Sequence, residues 1–243
     1  MFESTLSVGG PTTPRPSTSL RGLPRSTPAR AHGPSGFSSL PPSVLDDLRR
    51  FDRDGIQTEL LEVIAASLRH HRNLLVLLEY GKRSLPLTIF PAQRLVHCPL
   101  PPVQLLTLRL HELFVLGVEP ALLEAPQEHD LSWHNPEDAE RFGSLDLLAW
   151  ELAMRGARSA LLPEISPLAA FRIPPGVSVQ GLDLHGNLAG ALHRLKRQAS
   201  NLRDIAGWSG FDRERATRFL NALYLQSALM ATRTHPLAGD GWA

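Results

Sequence analysis

Cysteine and long apolar runs are what this chain of 243 residues most clearly lacks. Its single cysteine, Cys98, cannot form an intramolecular disulfide, so a reducing cytoplasm is the simplest expected environment. No apolar run approaches the roughly 18–20 residues of a membrane-spanning helix, and the start of the chain lacks the apolar core of a secretory signal. These absences predict a cytoplasmic protein with no membrane partner.

The sequence also lacks the common motifs of catalysis and phosphate binding. It contains no Cys-x-x-Cys, no His-Glu-x-x-His and neither of the usual glycine-rich phosphate loops. Ser209, in Gly-Trp-Ser-Gly, does not have the spacing of a nucleophile elbow. His97 adjoins Cys98 only along the chain, whereas a catalytic base must meet the sulfur in space, so a buried, inert cysteine is the better interpretation. We therefore expect no enzyme activity and no catalytic residue.

Metal and cofactor sites have equally little support. The best candidate for a metal cluster is the acidic stretch that contains His129, Asp130 and His134. Its spacing matches none of the usual ligand motifs. We therefore expect neither a metal nor a cofactor.

Charge is unevenly distributed along the chain although the net charge is only +1. Residues 43–184 carry 13 Lys/Arg against 19 Asp/Glu, whereas residues 185–235 carry eight against three. An acidic middle beside a basic end indicates two modules with different partners. The apolar content of 42% suits one large domain or two small ones with a tail.

Composition shifts divide the chain into five parts. Residues 1–42 are rich in Pro, Ser and Arg and predict a disordered tail, which serves as a partner-binding arm or is dispensable. The rest divides into an α+β domain (43–123), an acidic linker or loop (124–143), a helical, winged-helix-like domain (144–235) and a short tail (236–243).

The first domain has the pattern of a small α+β fold. The predicted order is helix, helix, three strands, helix and strand, over residues 43–48, 56–68, 74–80, 85–90, 95–98, 103–110 and 113–118. Three consecutive strands favour an antiparallel meander with the helices on one face.

The C-terminal region has the pattern of a helix–turn–helix that runs into a strand. Residues 144–155, ended by Gly156, form one predicted helix, and a short helical segment is expected at 157–162. A strand at 171–173 and a helix at 188–196 follow. The last part contains a short helix from Leu202, Gly210 as its C-cap, Asp212 as the N-cap of a helix over 212–228, and a strand at 229–235. This order predicts a winged helix.

Four arginines on this winged-helix-like region are the candidate contacts to a partner protein or to DNA: Arg213, Arg215, Arg218 and Arg233. The alternative interpretation is that they form a solvated surface, with Glu214 and Arg218 as an ordinary i,i+4 pair. Fold alone does not decide between these interpretations.

One stretch carries a family resemblance. Leu87-Thr-Ile-Phe-Pro-Ala-Gln-Arg-Leu-Val-His97, with the strand and glycine turn before it, resembles the PATAN-type domain first described at the N-terminus of PatA response regulators. In such families a winged-helix-like segment follows, and Leu202 to Met230 is similar to it. The resemblance implies a noncatalytic adaptor in bacterial signalling, with a response regulator or a small GTPase and its roadblock protein as partner. It supplies no catalytic residue.

The sequence leaves three functions open. The leading hypothesis is a signalling adaptor that binds another protein, with a homodimer as a further option. The alternative is a winged-helix transcription regulator that contacts DNA through the basic face of helix 212–228. A third hypothesis makes the α+β domain a sensor of a small ligand.

Overall fold

The chain folds into a mixed α+β structure. The computed structural model describes residues 40–52, 59–125 and 140–240, apart from 157, 167, 178, 180, 181 and 183. The predicted N-terminal tail, up to residue 39, lies outside the described residues. Residues 126–139 of the predicted linker, which include the candidate metal cluster, also lie outside the described residues.

The described residues contain seven α-helices and eight strands. The helices are α1 (Pro42–Asp52), α2 (Leu60–His70), α3 (Pro102–Thr107), α4 (Leu145–Arg155), α5 (Asn187–Arg197), α6 (Leu202–Ala206) and α7 (Arg213–Leu225). The strands are β1 (Leu74–Tyr80), β2 (Arg83–Phe90), β3 (Leu95–His97), β4 (Phe114–Pro120), β5 (Phe142–Ser144), β6 (Ala170–Arg172), β7 (Ser200–Asn201) and β8 (Met230–Thr232). Short 3-10 helices span Leu110–Glu112 and Pro236–Asp240.

Five strands form one antiparallel sheet in the order β4-β1-β2-β3-β5. Buried and exposed side chains alternate along β1 and define the two faces of the sheet. Leu74, Val76 and Leu78 are buried, while Leu77 between them is exposed. The turn between β1 and β2 contains Gly81, whose φ of 63° an L-residue rarely adopts. The predicted α+β class and its antiparallel meander are confirmed.

The fifth strand was not predicted, because β5 lies where the sequence indicated the end of a linker. Ser144 of β5 pairs with Leu95, and Phe142 pairs with His97. A strand of three residues is too short to show alternation, and its glycine lowers the expected strand propensity. Gly143 is required by packing, since a Cβ there would lie 2.5 Å from the Pro102 ring.

The second sheet has three short antiparallel strands in the order β7-β6-β8. Strand β8 follows α7 and pairs with β6, which precedes α5 in the chain. The helix–turn–helix of α6 and α7 therefore runs into a strand as the sequence predicts. The assignment of this region to the winged-helix class stays a prediction.

Two local predictions for the C-terminal region are wrong. Residues 158–162 form no helix, because hydrogen bonds from side chains elsewhere in the fold satisfy the main chain there. The C-cap of α6 is Gly207, whereas Gly210 lies in the following turn with a φ of 76°. Asp212 is the N-cap of α7 as predicted, since its Oδ1 accepts from the Arg215 N–H at 2.7 Å.

One connected cluster of buried side chains runs through the described residues, and both predicted domains contribute to it. Helix α7 supplies Phe219, Leu220 and Leu223, all fully buried. Burial of each contributes roughly 1.5–3 kcal/mol. Trp150 of α4 meets the Phe219 ring edge-to-face at 6.2 Å. In the described part of the chain, no helix combines the length and apolar character needed to cross a membrane.

Candidate functional site

An open groove of about 560 Å³ lies beside the N-terminal half of α7. Residues 159–161, 166, 168, 169 and 171 form one wall, and residues at the beginning of α6 and α7 form the other. We call it the α7 groove, and its lining residues are Ser159, Ala160, Leu161, Ser166, Leu168, Ala169, Phe171, Leu202, Arg213, Glu214 and Thr217. Its volume falls within the range of binding sites in proteins.

The α7 groove has a buried floor and an exposed rim. Phe171, Ala169 and Thr217 are buried. Leu168 at the rim is 39% exposed, although leucine is an apolar side chain that most often lies inside. Arg213 on the same rim is exposed. The surface therefore combines apolar contact area with a charged edge.

A buried asparagine fixes one wall of the groove. Asn221 of α7 is 1% exposed, and its Nδ2 donates to the carbonyl oxygen of Ala160 at 2.9 Å. Its Oδ1 accepts from the main-chain N–H of Leu162 at 2.9 Å. Because both bonds are buried or partly buried, the amide holds this extended segment against α7.

A partly buried ion pair holds the same wall from the other side. The Arg158 guanidinium pairs with the Glu62 carboxylate of α2 and donates to the carbonyl oxygens of Ala160 (2.9 Å) and Leu161 (3.0 Å). Burial raises the pKa of the Glu62 carboxyl above its usual value, and the Arg158 charge opposes part of that rise. The wall is thus attached to α2 as well as to α7.

A second polar cluster connects α1, α2 and Glu164, which lies farther along the same wall segment. Asp47 of α1 pairs with Arg69 of α2, and its Oδ2 lies 2.7 Å from the Nε2 of His70. Arg69 also pairs with Glu164. The segment 158–166 therefore has charged contacts to α2, and α1 joins this cluster through Arg69 and His70 of α2. We interpret these residues as structural.

The four candidate arginines take different positions on α7 and after it. Arg213 lines the groove. Arg215 is exposed, and its guanidinium carbon lies 5.5 Å from the centroid of the Phe211 ring. Both belong to the first turn of α7.

The other two arginines donate to main-chain carbonyls. Arg218 is partly buried, and its Nη2 donates to Gly156 O at 3.2 Å and pairs with Glu214 at 2.7 Å, the predicted i,i+4 pair. Arg233 donates to Glu164 O (3.1 Å) and Ser166 O (3.2 Å). Arg233 therefore lies next to the groove, because Ser166 lines it.

Sequence reasoning missed Arg94, which belongs to the stretch that carries the PATAN resemblance. Its Nη1 donates to Leu225 O at 3.0 Å, and its Nη2 donates to Ser227 Oγ at 2.8 Å. Arg94 also lies 3.3 Å from Asp146 of α4. Burial raises the pKa of the Asp146 carboxyl, and Arg94 opposes this. Arg94 thereby attaches the large sheet to the C-terminal end of α7.

Sequence reasoning also missed Asn221, for which a signal exists. Thr217 and Asn221 lie four residues apart within the buried residues of α7, between apolar neighbours. A polar residue on an apolar face indicates a specific hydrogen-bond partner. The identity of that partner, 59 residues away, cannot be read from spacing.

The described ranges contain no group of three or more His, Cys, Asp or Glu side chains that could hold a metal ion. Cys98 is fully buried, and burial raises the pKa of its thiol. A thiol with a raised pKa is a poor nucleophile at neutral pH. This agrees with the interpretation of Cys98 as an inert core residue.

Comparisons with known protein families, with curated proteins and with solved structures found no match for this chain.

Proposed function

We propose that this chain is a noncatalytic regulatory adaptor of bacterial signalling that works in the cytoplasm by binding another protein through the α7 groove. The observation that carries the proposal is the groove itself, an open surface with a solvent-exposed leucine on a rigid wall. A pre-formed concave surface lined by apolar side chains and a few polar groups favours the binding of a ligand or partner. The partner class, a response regulator or a small GTPase with its roadblock protein, comes from the PATAN resemblance.

Rigidity supports a docking function for the groove. Asn221 and Arg158 hold the wall in place through buried or partly buried hydrogen bonds. A pre-formed surface loses little conformational entropy when a partner binds, so more of the contact free energy is retained as affinity. A partner would cover Leu168, while Arg213 would set orientation and association rate.

The DNA-binding alternative receives less support from the same geometry. Arg218 and Arg233 donate to main-chain carbonyls within the chain, and Arg218 also pairs with Glu214. A contact to phosphate would have to replace these bonds. We therefore expect no mobility shift with duplex DNA at low salt. A shift that weakens steeply with salt and is lost in Arg215→Ala and Arg218→Ala would favour the regulator instead.

A binding assay with matched variants tests the proposal. The probes are purified response-regulator receiver domains and roadblock–GTPase pairs from the host, offered to the immobilised full chain. We expect micromolar or tighter binding to one of them, weakened at least about tenfold by Leu168→Asp, because a buried apolar contact becomes an unpaired charge. Leu122→Asp is the control, since Leu122 is 95% exposed and lies outside the groove.

Two outcomes contradict the proposal. In the first, none of these probes binds the folded wild-type chain. In the second, a probe binds but Leu168→Asp and Leu122→Asp bind it with equal affinity, which places the interface elsewhere. Thermal unfolding of each variant shows whether a loss of binding reflects loss of fold.

A further inference from the structure

The outer edge of β4 differs from the other edges of the two described sheets. Strand β4 has seven residues, whereas the edge strands β5, β7 and β8 have three, two and three. Among the described strands β4 pairs with β1 alone, so the main-chain groups along its other side have no strand partner there. A long open edge is a template for a further strand.

The side chains of β4 do not protect this edge against pairing. Residues 114–118 carry no charge and no proline, and Glu119 and Pro120 stand at the end of the strand. Natural edges are usually protected by charged residues, especially lysine, by proline, or by short length. One irregularity does occur within β4: Leu77 pairs with Gly117 and Leu78 with Val115, so Leu116 is the extra residue of a bulge. A bulge twists an edge strand locally and is the one protecting feature in residues 114–118. The edge otherwise has the character of a strand that pairs.

Apolar side chains extend the edge into a surface. Phe114 and Leu116 of β4 are 46% and 49% exposed, and Leu77 on the adjacent β1 is 40% exposed. Three large exposed apolar side chains on neighbouring strands make a contiguous apolar patch. Main-chain pairing along β4 would bring a second such patch beside the first.

We propose that β4 pairs antiparallel with β4 of a second copy of this chain, joining two five-stranded sheets into one. An identical strand offers the same uncharged edge, and two-fold pairing closes the assembly at a dimer. Antiparallel pairing around residues 116–117 keeps the two Glu119 carboxylates roughly 13–20 Å apart at about 3.3 Å per residue, beyond the screening length of about 8–10 Å. Parallel pairing would place them side by side, which disfavours that arrangement.

The size of the contact predicts a dissociable dimer. Seven residues of strand with three apolar side chains from each copy lie near the small end of stable interfaces. Sedimentation equilibrium of the full chain should therefore give 26.7 kDa at high dilution and approach twice that mass as concentration rises. A mass of 26.7 kDa at every concentration overturns the proposal.

Charged substitutions at the middle of β4 locate the interface. Leu116→Lys and Gly117→Lys each bring two lysines together across the two-fold axis, and a Cβ at Gly117 meets nothing within 4 Å. We expect dimerisation to weaken at least about tenfold through like-charge repulsion. Val103→Lys adds the same charge to a residue that is 76% exposed on α3, and it should leave the dimer unchanged. A dimer that survives both β4 variants overturns the proposal.

A charge-swap experiment separates repulsion from misfolding. Mixing Leu116→Lys with Leu116→Glu chains should restore a dimer, because opposite charges then meet near the axis. Amide hydrogen exchange should show that the β4 N–H groups on the side away from β1 become protected only as the dimer forms, whereas those that donate to β1 are already protected in the monomer. Protection of the outward-facing N–H groups in the monomer would mean that another part of the chain covers the edge, and failure of the mixed pair to associate would mean that the edge is not the interface. Either result overturns the proposal.

Discussion

The large sheet and the surroundings of α7 are assembled over very different distances along the chain. Strands β1 and β2 are joined by a tight turn, with Tyr80 opposite Arg83. Around α7 the contacts are distant: Arg94 reaches the carbonyl of Leu225 over 131 residues, and Asn221 bonds Leu162 over 59. The meander thus follows from neighbouring segments, whereas the groove exists because a few polar side chains fix remote main-chain atoms.

This difference predicts that α7 is where single substitutions destabilise the fold most. Phe219→Ala should lower the free energy of unfolding by about 3–5 kcal/mol, because it removes a fully buried ring and leaves a cavity. Denaturant unfolding of the full chain measures the change. Leu122→Ala, at an exposed site, should stay within about 0.5 kcal/mol of the wild type. Equal losses for both variants would contradict this account of the core.

The second prediction concerns the wall of the groove. Asn221→Ala leaves the Leu162 N–H and the Ala160 carbonyl without their partner, at a cost of about 2–4 kcal/mol for the two. Thr107→Ala removes an exposed, local hydrogen bond to Gln104 and should cost less than about 0.5 kcal/mol. Amide exchange should also show faster opening at 160–162 in Asn221→Ala alone. Unchanged exchange there would mean that the asparagine does not hold the wall.

The third prediction tests the attachment of the large sheet to α7. Arg94→Ala loses its bonds to Leu225 and Ser227, and we expect a loss of about 1–2 kcal/mol, reduced by the partial exposure of the side chain. Arg109→Ala removes an exposed arginine that pairs with Glu112 three residues away, and it should leave the free energy of unfolding close to that of the wild type, because solvent screens this pair. If Arg94→Ala and Arg109→Ala lower the free energy of unfolding by the same amount, the sequence distance of the contacts is not what distinguishes the two regions.

The fourth and smallest effect depends on pH. Because burial raises the pKa of Glu62 in the folded chain, the folded state binds the proton more tightly than the unfolded state. The stability that the protonated carboxyl contributes is complete below 4.5, the ordinary pKa of a glutamate carboxyl, and falls as pH rises through the folded pKa. Unfolding free energies should therefore decline across this window relative to Glu62→Gln, whose amide does not titrate. Parallel pH profiles would refute the raised pKa.

Local pattern predicted much of the fold and little of the site. Apolar spacing located β1, α4 and α7, because each is long enough for one face to be buried. Strands β5 and β7, of three and two residues, are too short for that signal, and side-chain bonds override helix formation at 158–162. At the site, the helix pattern identifies Arg213 as a candidate contact. The wall of the α7 groove opposite Arg213 cannot be predicted from the sequence, because contacts between distant segments form it.

Hydrogen exchange of the full chain with and without a saturating response regulator or roadblock–GTPase pair tests the central claim most directly. The account predicts that the bound partner slows exchange in residues 159–169 and 213–217, the two walls of the α7 groove. Slowed exchange confined to other segments, with these two unchanged, would contradict it.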